Sequence, residues 1–160
     1  MTLIDLKEST KDIDFIVPEK NEYTYLIGKL KDLGYKQITQ YGWKKDEGFL
    51  FDLYPGNYIY TTGLLESPFK NRNNLKYKEF SSIYLGVLNI YDLIISKIFR
   101  YTSADMEDCK ALFKAKYEEI NIEKLKKRFF ETSSYDISDE KNKKNFEHFL
   151  KILKKEGFKT

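Results

Sequence analysis

The chain has 160 residues, of which 41% are hydrophobic, 16% aromatic and 33% charged; this supports one packed core and excludes a polypeptide dominated by disorder. Its formal net charge of +3, from 28 basic against 25 acidic residues, is too even to mark a nucleic-acid binder by itself. One cysteine, Cys109, and one histidine, His148, exclude an internal disulfide and any Cys/His zinc site.

The first expected element is a strand within Ser9 to Pro18, where Asp12 and Asp14 flank Ile13 and an apolar run, Phe15-Ile16-Val17, follows. Alternation along a strand puts both carboxylates on one side, with Cα atoms roughly 7 Å apart at a rise of about 3.3 Å per residue. Like charges held that close raise each other's pKa, and a hard divalent cation is the natural remedy. A solvated strand end would tolerate the same pair, so the pair alone leaves both readings open.

Beyond Pro18, the spacing of Tyr23, Leu26, Ile27, Leu30 and Leu33 predicts a helix over Glu19 to Leu33, stopped by Gly34. Tyr35 to Gln40 is expected to be a second strand, Trp43 to Gly48 a strand end and turn, and Phe49 to Tyr54 the next strand. Asp52 is a lone acid inside that last run, and a buried acid without a partner is costly. If its strand lies beside the first, three carboxylates converge. Further on, Asn57 to Thr62 is expected to be a short strand, Phe69 to Lys78 a polar loop, and Glu79 to Val87 a strand.

From Asn89 the chain turns helical. Asn89 is a suitable N-cap for Ile90 to Tyr101, and Ser103 for Ala104 to Tyr117. Helices are expected over Asn121 to Phe130 and from Ser138 to Lys155, with Glu131 to Asp136 as a linker. Lys124, Lys126, Lys127, Arg128, Lys141, Lys143, Lys144, Lys151, Lys154 and Lys155 read as solvated helix faces, with RNA or DNA contact as the lesser reading. Phe146, Phe149, Leu150 and Leu153 mark the core face of the last helix, leaving His148 at the surface; Cys109 reads as a small packing residue and Trp43 as core.

The most apolar stretch, Ile83 to Phe99, is broken by Asn89, Asp92 and Lys97, so no membrane span is expected. Met1 to Thr10 carries no basic segment followed by an apolar core, and the expectation is a soluble cytoplasmic protein without a signal peptide. Strand alternating with helix, then helices alone, predicts an α+β fold: a small mixed β-sheet with flanking helices, followed by C-terminal helices. Residues 1–88 would form the α/β core, and 89–160 a helical part packed on it rather than an independent domain.

Lys11-Asp12-Ile13-Asp14-Phe15, Phe51-Asp52-Leu53, Asp92 to Lys97, Arg100, and Asp105-Met106-Glu107-Asp108 occur in this order. Together they resemble the small nucleotidyltransferase-fold proteins, the group that includes the minimal nucleotidyltransferases and transferase-like components of toxin–antitoxin and abortive-infection systems. The resemblance runs from about Ser9 to Phe113. It implies that Asp12, Asp14 and Asp52 bind Mg²⁺ or Mn²⁺ and serve catalysis, and that Lys11, Lys97 and Arg100 contact a nucleoside triphosphate. Bridging carboxylates at this separation suit two metal ions about 3.5–4 Å apart. Lys97 and Arg100 also suit a salt-bridge network with Asp105 and Asp108. The implied activity is metal-dependent transfer of a nucleotidyl group to a protein or RNA hydroxyl; the alternative is a non-catalytic, antitoxin-like module that binds a toxin-like protein partner. One departure stands out: the resemblance implies a glycine-bearing, phosphate-cradling element ahead of the D-x-D strand, and Met1 to Lys11 contains no glycine. A late start of the chain, lost transfer activity and completion of the site by another subunit are the three readings this leaves open.

Overall fold

A computed structural model describes Met1, Leu6, Glu8, 12–70, 73–81 and 83–160, with the side chain at 76 left aside. Strand β1 (Asp12–Val17) leads through helix α1 (Lys20–Asp32) into β2 (Lys36–Gln37), β3 (Gly42–Lys44) and β4 (Leu50–Pro55). The sheet order is β1-β4-β3-β2, with β1 parallel to β4 and the other pairs antiparallel. A parallel pair needs a crossover, and the segment through α1, β2 and β3 supplies it.

Alternation along the strands decides what each face of this sheet does. Phe15, Val17, Phe51, Leu53 and Trp43 pack with Leu30, Leu26 and Ile27 of α1. Asp12, Asp14 and Ile16 of β1, and Asp52 and Tyr54 of β4, therefore point away from α1. Gly34, at φ +86°, closes α1 in the left-handed conformation and returns the chain to the sheet. Strands β5 (Tyr58–Ile59) and β6 (Thr62–Gly63) form a tight hairpin, where a single strand over Asn57 to Thr62 was expected. Tyr60 and Thr61 turn the chain there, and the hairpin's Ile59 packs beside Tyr54, Ile16 and Leu64.

A second departure from the expected elements is the ribbon of β7 (Asn74–Glu79) and β8 (Tyr84–Leu88). The segment read as a polar loop supplies β7, and Glu79 ends that strand instead of opening the next. Helix α2 (Ile90–Arg100) is capped as expected, the Asn89 side chain accepting from the Tyr91 and Asp92 amides at 3.0 Å each. Helix α3 (Ser103–Ala115) is capped by Thr102, not Ser103. Thr102 Oγ1 accepts from Asp105 N at 3.1 Å while the Asp105 carboxylate accepts from Thr102 N, a reciprocal box that Ser103 has no matching acid to make.

After a 3₁₀ turn at Tyr117–Glu119 come α4 (Ile122–Ser134) and α5 (Asp139–Lys155). The expected linker from Glu131 is instead the last turn of α4, held inward by buried Thr132 and Ser133. Helices α2 to α5 enclose the larger core, in which Phe129 stacks on Phe146 with centroids 4.0 Å apart. Phe149 and Leu153 are buried as the periodicity predicted, and His148 is exposed, its Nδ1 meeting the Tyr101 hydroxyl. Cys109 is fully buried and directs its thiol to the Ile94 carbonyl; burial pushes that thiol up to about 12. Arg128 departs from the solvated faces expected of the basic C-terminal residues. It turns inward, donating to both carboxylate oxygens of Asp92 at 2.5 and 2.8 Å.

Candidate active site

A cavity of about 730 Å³ lies between the sheet, the β7–β8 ribbon and helices α2 and α3. Asp12 and Asp14 line it from β1, Tyr60 from the hairpin turn, Lys97 and Arg100 from α2, and Asp105 and Asp108 from α3. Ile16, Leu88 and Leu93 add an apolar wall.

Asp14, exposed along β1, is the acid on which the charges of the other two converge. Its register partner on β4 is Asp52, and Asp12 lies two residues back on the same face. Desolvation raises the Asp14 carboxyl above its ordinary 3.8, the Tyr60 hydrogen bond opposes that rise, and repulsion from Asp12 and Asp52 adds to it. Tyr60 donates its hydroxyl to the two Asp14 oxygens, at 2.9 and 3.0 Å. Burial and the neighbouring Asp14 push the Tyr60 hydroxyl up to about 12.

Asp52 faces the same side as Asp14, but it stands beside the cavity and is not part of its lining. Its carboxylate accepts from the Tyr54 hydroxyl at 3.2 Å. The opposite oxygen rests over Gly42, where an added Cβ would come within 3.0 Å of it and within 2.5 Å of Thr39 Oγ1. Glycine at that point of β3 is what leaves room for the acid on β4. The three acids thus share one electrostatic neighbourhood, yet among the described residues no group of three or more His, Cys, Asp or Glu side chains is arranged to hold a metal ion.

The α2 cations are held by α3. Lys97 Nζ lies 2.7 Å from Asp108 Oδ2 and 3.7 Å from Asp105 Oδ1. Arg100 forks onto Asp105, with Nε at 2.7 Å from Oδ2 and Nη2 on Oδ1. Burial works to raise the Asp105 carboxyl, but hydrogen bonds from Arg100 and Thr102 outweigh it and hold the group below the ordinary carboxylate value. The Arg100 guanidinium also lies over the Tyr60 ring, 4.2 Å from its centroid, which joins the helical side of the cavity to the acidic side. Tyr101, left-handed at φ +58°, makes the turn that brings Arg100 and Asp105 face to face.

The family model described as a nucleotidyltransferase of unknown function (DUF6036) matches residues 3–156. The chain belongs to this family. No curated protein and no solved structure matches it. The observed mixed sheet and C-terminal helices agree with the α+β fold expected of a nucleotidyltransferase-like family. Among the described residues no helix is long and apolar enough to cross a membrane.

Of the six residues singled out from the sequence, Asp12, Asp14, Lys97 and Arg100 share the cavity, Asp52 flanks it, and Lys11 lies outside the described residues. Tyr60 was not singled out. It is 46 residues from Asp14 in the chain, and nothing in the local pattern separates it from the other tyrosines of the strands.

Proposed function

We propose that this member of the family is an active nucleotidyltransferase. In this reading a hydroxyl on a protein or RNA attacks the α-phosphorus of a nucleoside triphosphate, the bond from that phosphorus to the β-phosphate's bridging oxygen breaks, and the nucleotidyl group is transferred as pyrophosphate leaves. The observation that carries the reading is that the D-x-D pair of β1 and the two cations of α2 face one cavity in a chain of a nucleotidyltransferase family.

The acidic side of the cavity fits Mg²⁺ or Mn²⁺. Its donors are all carboxylate oxygens, and the desolvated, repelled Asp14 would be relieved by a dication. Mg²⁺ is commonly held by one or two carboxylates together with substrate phosphates and water, so Asp12 and Asp14 suffice as protein ligands. When bound, the metal supplies charge neutralisation at the transferred phosphorus and a lowered pKa for the attacking hydroxyl.

The chain's own residues position the rest. Lys97 and Arg100 offer positive charge to triphosphate oxygens, and Asp105 and Asp108 fix the direction in which they point. The apolar wall of Ile16, Leu88 and Leu93 gives a base and ribose a place out of water. Asp52 strengthens the negative field at Asp14 from behind.

Incubation with labelled nucleoside triphosphates, Mg²⁺ or Mn²⁺ and candidate acceptors tests the proposal. Wild type should label an acceptor and the Asp12→Ala, Asp14→Ala double variant should not; equal labelling by the two overturns it. One observation favours a second reading, a non-catalytic module that binds a toxin-like partner: both α2 cations are already engaged by α3 carboxylates. Wild type that labels nothing but copurifies with one protein partner would favour that module.

A further inference from the structure

Tyr60 stands over both oxygens of Asp14. Its hydroxyl oxygen is 2.9 Å from Asp14 Oδ1 and 3.0 Å from Oδ2, so it sits almost on the bisector of the carboxylate. That is the position a cation takes when both oxygens of one carboxylate chelate it. We propose that Tyr60 is a specificity-determining residue for the metal: it occupies the chelating position of Asp14 and leaves that carboxylate open to one-oxygen coordination. This rests on the metal-binding reading of Asp12 and Asp14 above.

The consequence follows from the geometry each ion requires. Ca²⁺ takes about 6–8 oxygens in a flexible shell and accepts carboxylates bidentately. Mg²⁺ requires a near-ideal octahedron, and two oxygens of one carboxylate subtend too narrow an angle to fill adjacent corners. Blocking the chelating position therefore costs Ca²⁺ a ligand that Mg²⁺ does not use.

Three constraints hold the tyrosine in place. Its ring lies under the Arg100 guanidinium, which Asp105 clamps in turn. The other side of its environment is the Tyr54 ring, with centroids 5.1 Å apart. Its backbone is left-handed, φ +52°, in the tight turn between β5 and β6. A bulky residue is uncommon in that conformation, and backbone strain of this kind gathers at functional sites. Glycine or asparagine would serve the turn alone; neither would reach Asp14 with a hydroxyl.

Separate titrations with MgCl₂ and CaCl₂, followed by calorimetry and by thermal shift, test the assignment on wild type, Tyr60→Phe and Asp14→Ala. Tyr60→Phe keeps the ring under Arg100 and removes the hydroxyl. With the ring held there its edge still fills the chelating position, so the Ca²⁺ to Mg²⁺ affinity ratio should stay close to that of wild type. Tyr60→Leu, which removes the ring and opens that position, should raise the Ca²⁺ to Mg²⁺ affinity ratio about 10-fold, the scale on which changes around metal ligands alter affinity. Asp14→Ala should weaken both ions. An unchanged ratio in Tyr60→Leu, with Mg²⁺ binding still dependent on Asp14, overturns this assignment alone. Wild type that binds neither ion through Asp14 overturns it together with the metal reading.

Discussion

Asp14→Asn should slow nucleotidyl transfer by a factor of about 10² or more and leave the same protein more stable at neutral pH. Under the proposed function the substitution removes a metal-ligand charge beside the transferred phosphate, where such stabilisation is worth several kcal/mol and each 1.36 kcal/mol is about tenfold. The gain in stability follows from what the fold does to the carboxylate. Desolvation, with repulsion from Asp12 and Asp52, holds Asp14 above its ordinary 3.8 despite the Tyr60 hydrogen bond. A carboxyl raised on folding is tolerated protonated and penalised ionised. The penalty is therefore absent below the unfolded value, grows as pH rises from there through the raised folded value, and is complete above it. Asparagine keeps an oxygen for Tyr60 and drops the charge. Urea midpoints should show the variant ahead of wild type near about pH 7 and level with it near about pH 3. A variant less stable than wild type at the higher pH would show that ionised Asp14 stabilises the fold, contrary to this account.

The largest stability effect is expected at Arg128. Asp92 is 2% exposed, and its carboxylate is met by Arg128 at 2.5 and 2.8 Å, by Asn89 at 2.6 Å and by Asn73 at 3.2 Å. Arg128→Met preserves most of the side chain's bulk but leaves a buried charge with amide donors alone, at a cost of about 3–5 kcal/mol. Adding Asp92→Asn should return a good part of that loss, because the orphaned charge goes with it. Equilibrium unfolding of the two variants decides the matter. A single variant within about 1 kcal/mol of wild type would place the ion pair among those that contribute little.

Much of this fold could be read from local chemistry. Asn89, Gly34 and the apolar spacing of α1 and α5 each act within a turn or two of where they stand, and they marked the helices correctly. The N-cap of α3 was legible too, since Thr102 and Asp105 form the box that Ser103 lacks; weighing the acid three residues on would have found it. In β7, Leu75 and Tyr77 alternate with polar residues, but the lysines and asparagines around them obscured the period, and both side chains remain exposed in the ribbon. The end of α4 was hidden for the opposite reason. Thr132 and Ser133 read as loop formers, yet both are buried, and Thr132 returns its hydroxyl to the Arg128 carbonyl at 2.8 Å.

The candidate site divides along the same line. Asp12 and Asp14 were legible because a strand places alternate residues together. Asp52 was harder: its place beside Asp14 depends on a parallel register that no local pattern encodes, and its withdrawal from the cavity depends on Gly42 and Tyr54. Tyr60 was illegible, because its meaning comes from a turn, a cation on a distant helix and a carboxylate on another strand.

The parallel pairing of β1 with β4 also orders events in time. Asp12 and Asp14 come early in the chain, but Tyr60 and the α2–α3 ion pairs belong to segments reaching Asp108. During synthesis the acid pair therefore leaves the ribosome well before anything that gives it a cavity, a restrained geometry or neighbouring cations. The α2–α3 ion pairs are local, but the contact of Tyr60 with Asp14 spans 46 residues, and such contacts form late because a loop must close before they contribute. A nascent or fragmentary chain would carry the D-x-D sequence without the cavity, which would exist only once the segments through Asp108 have assembled.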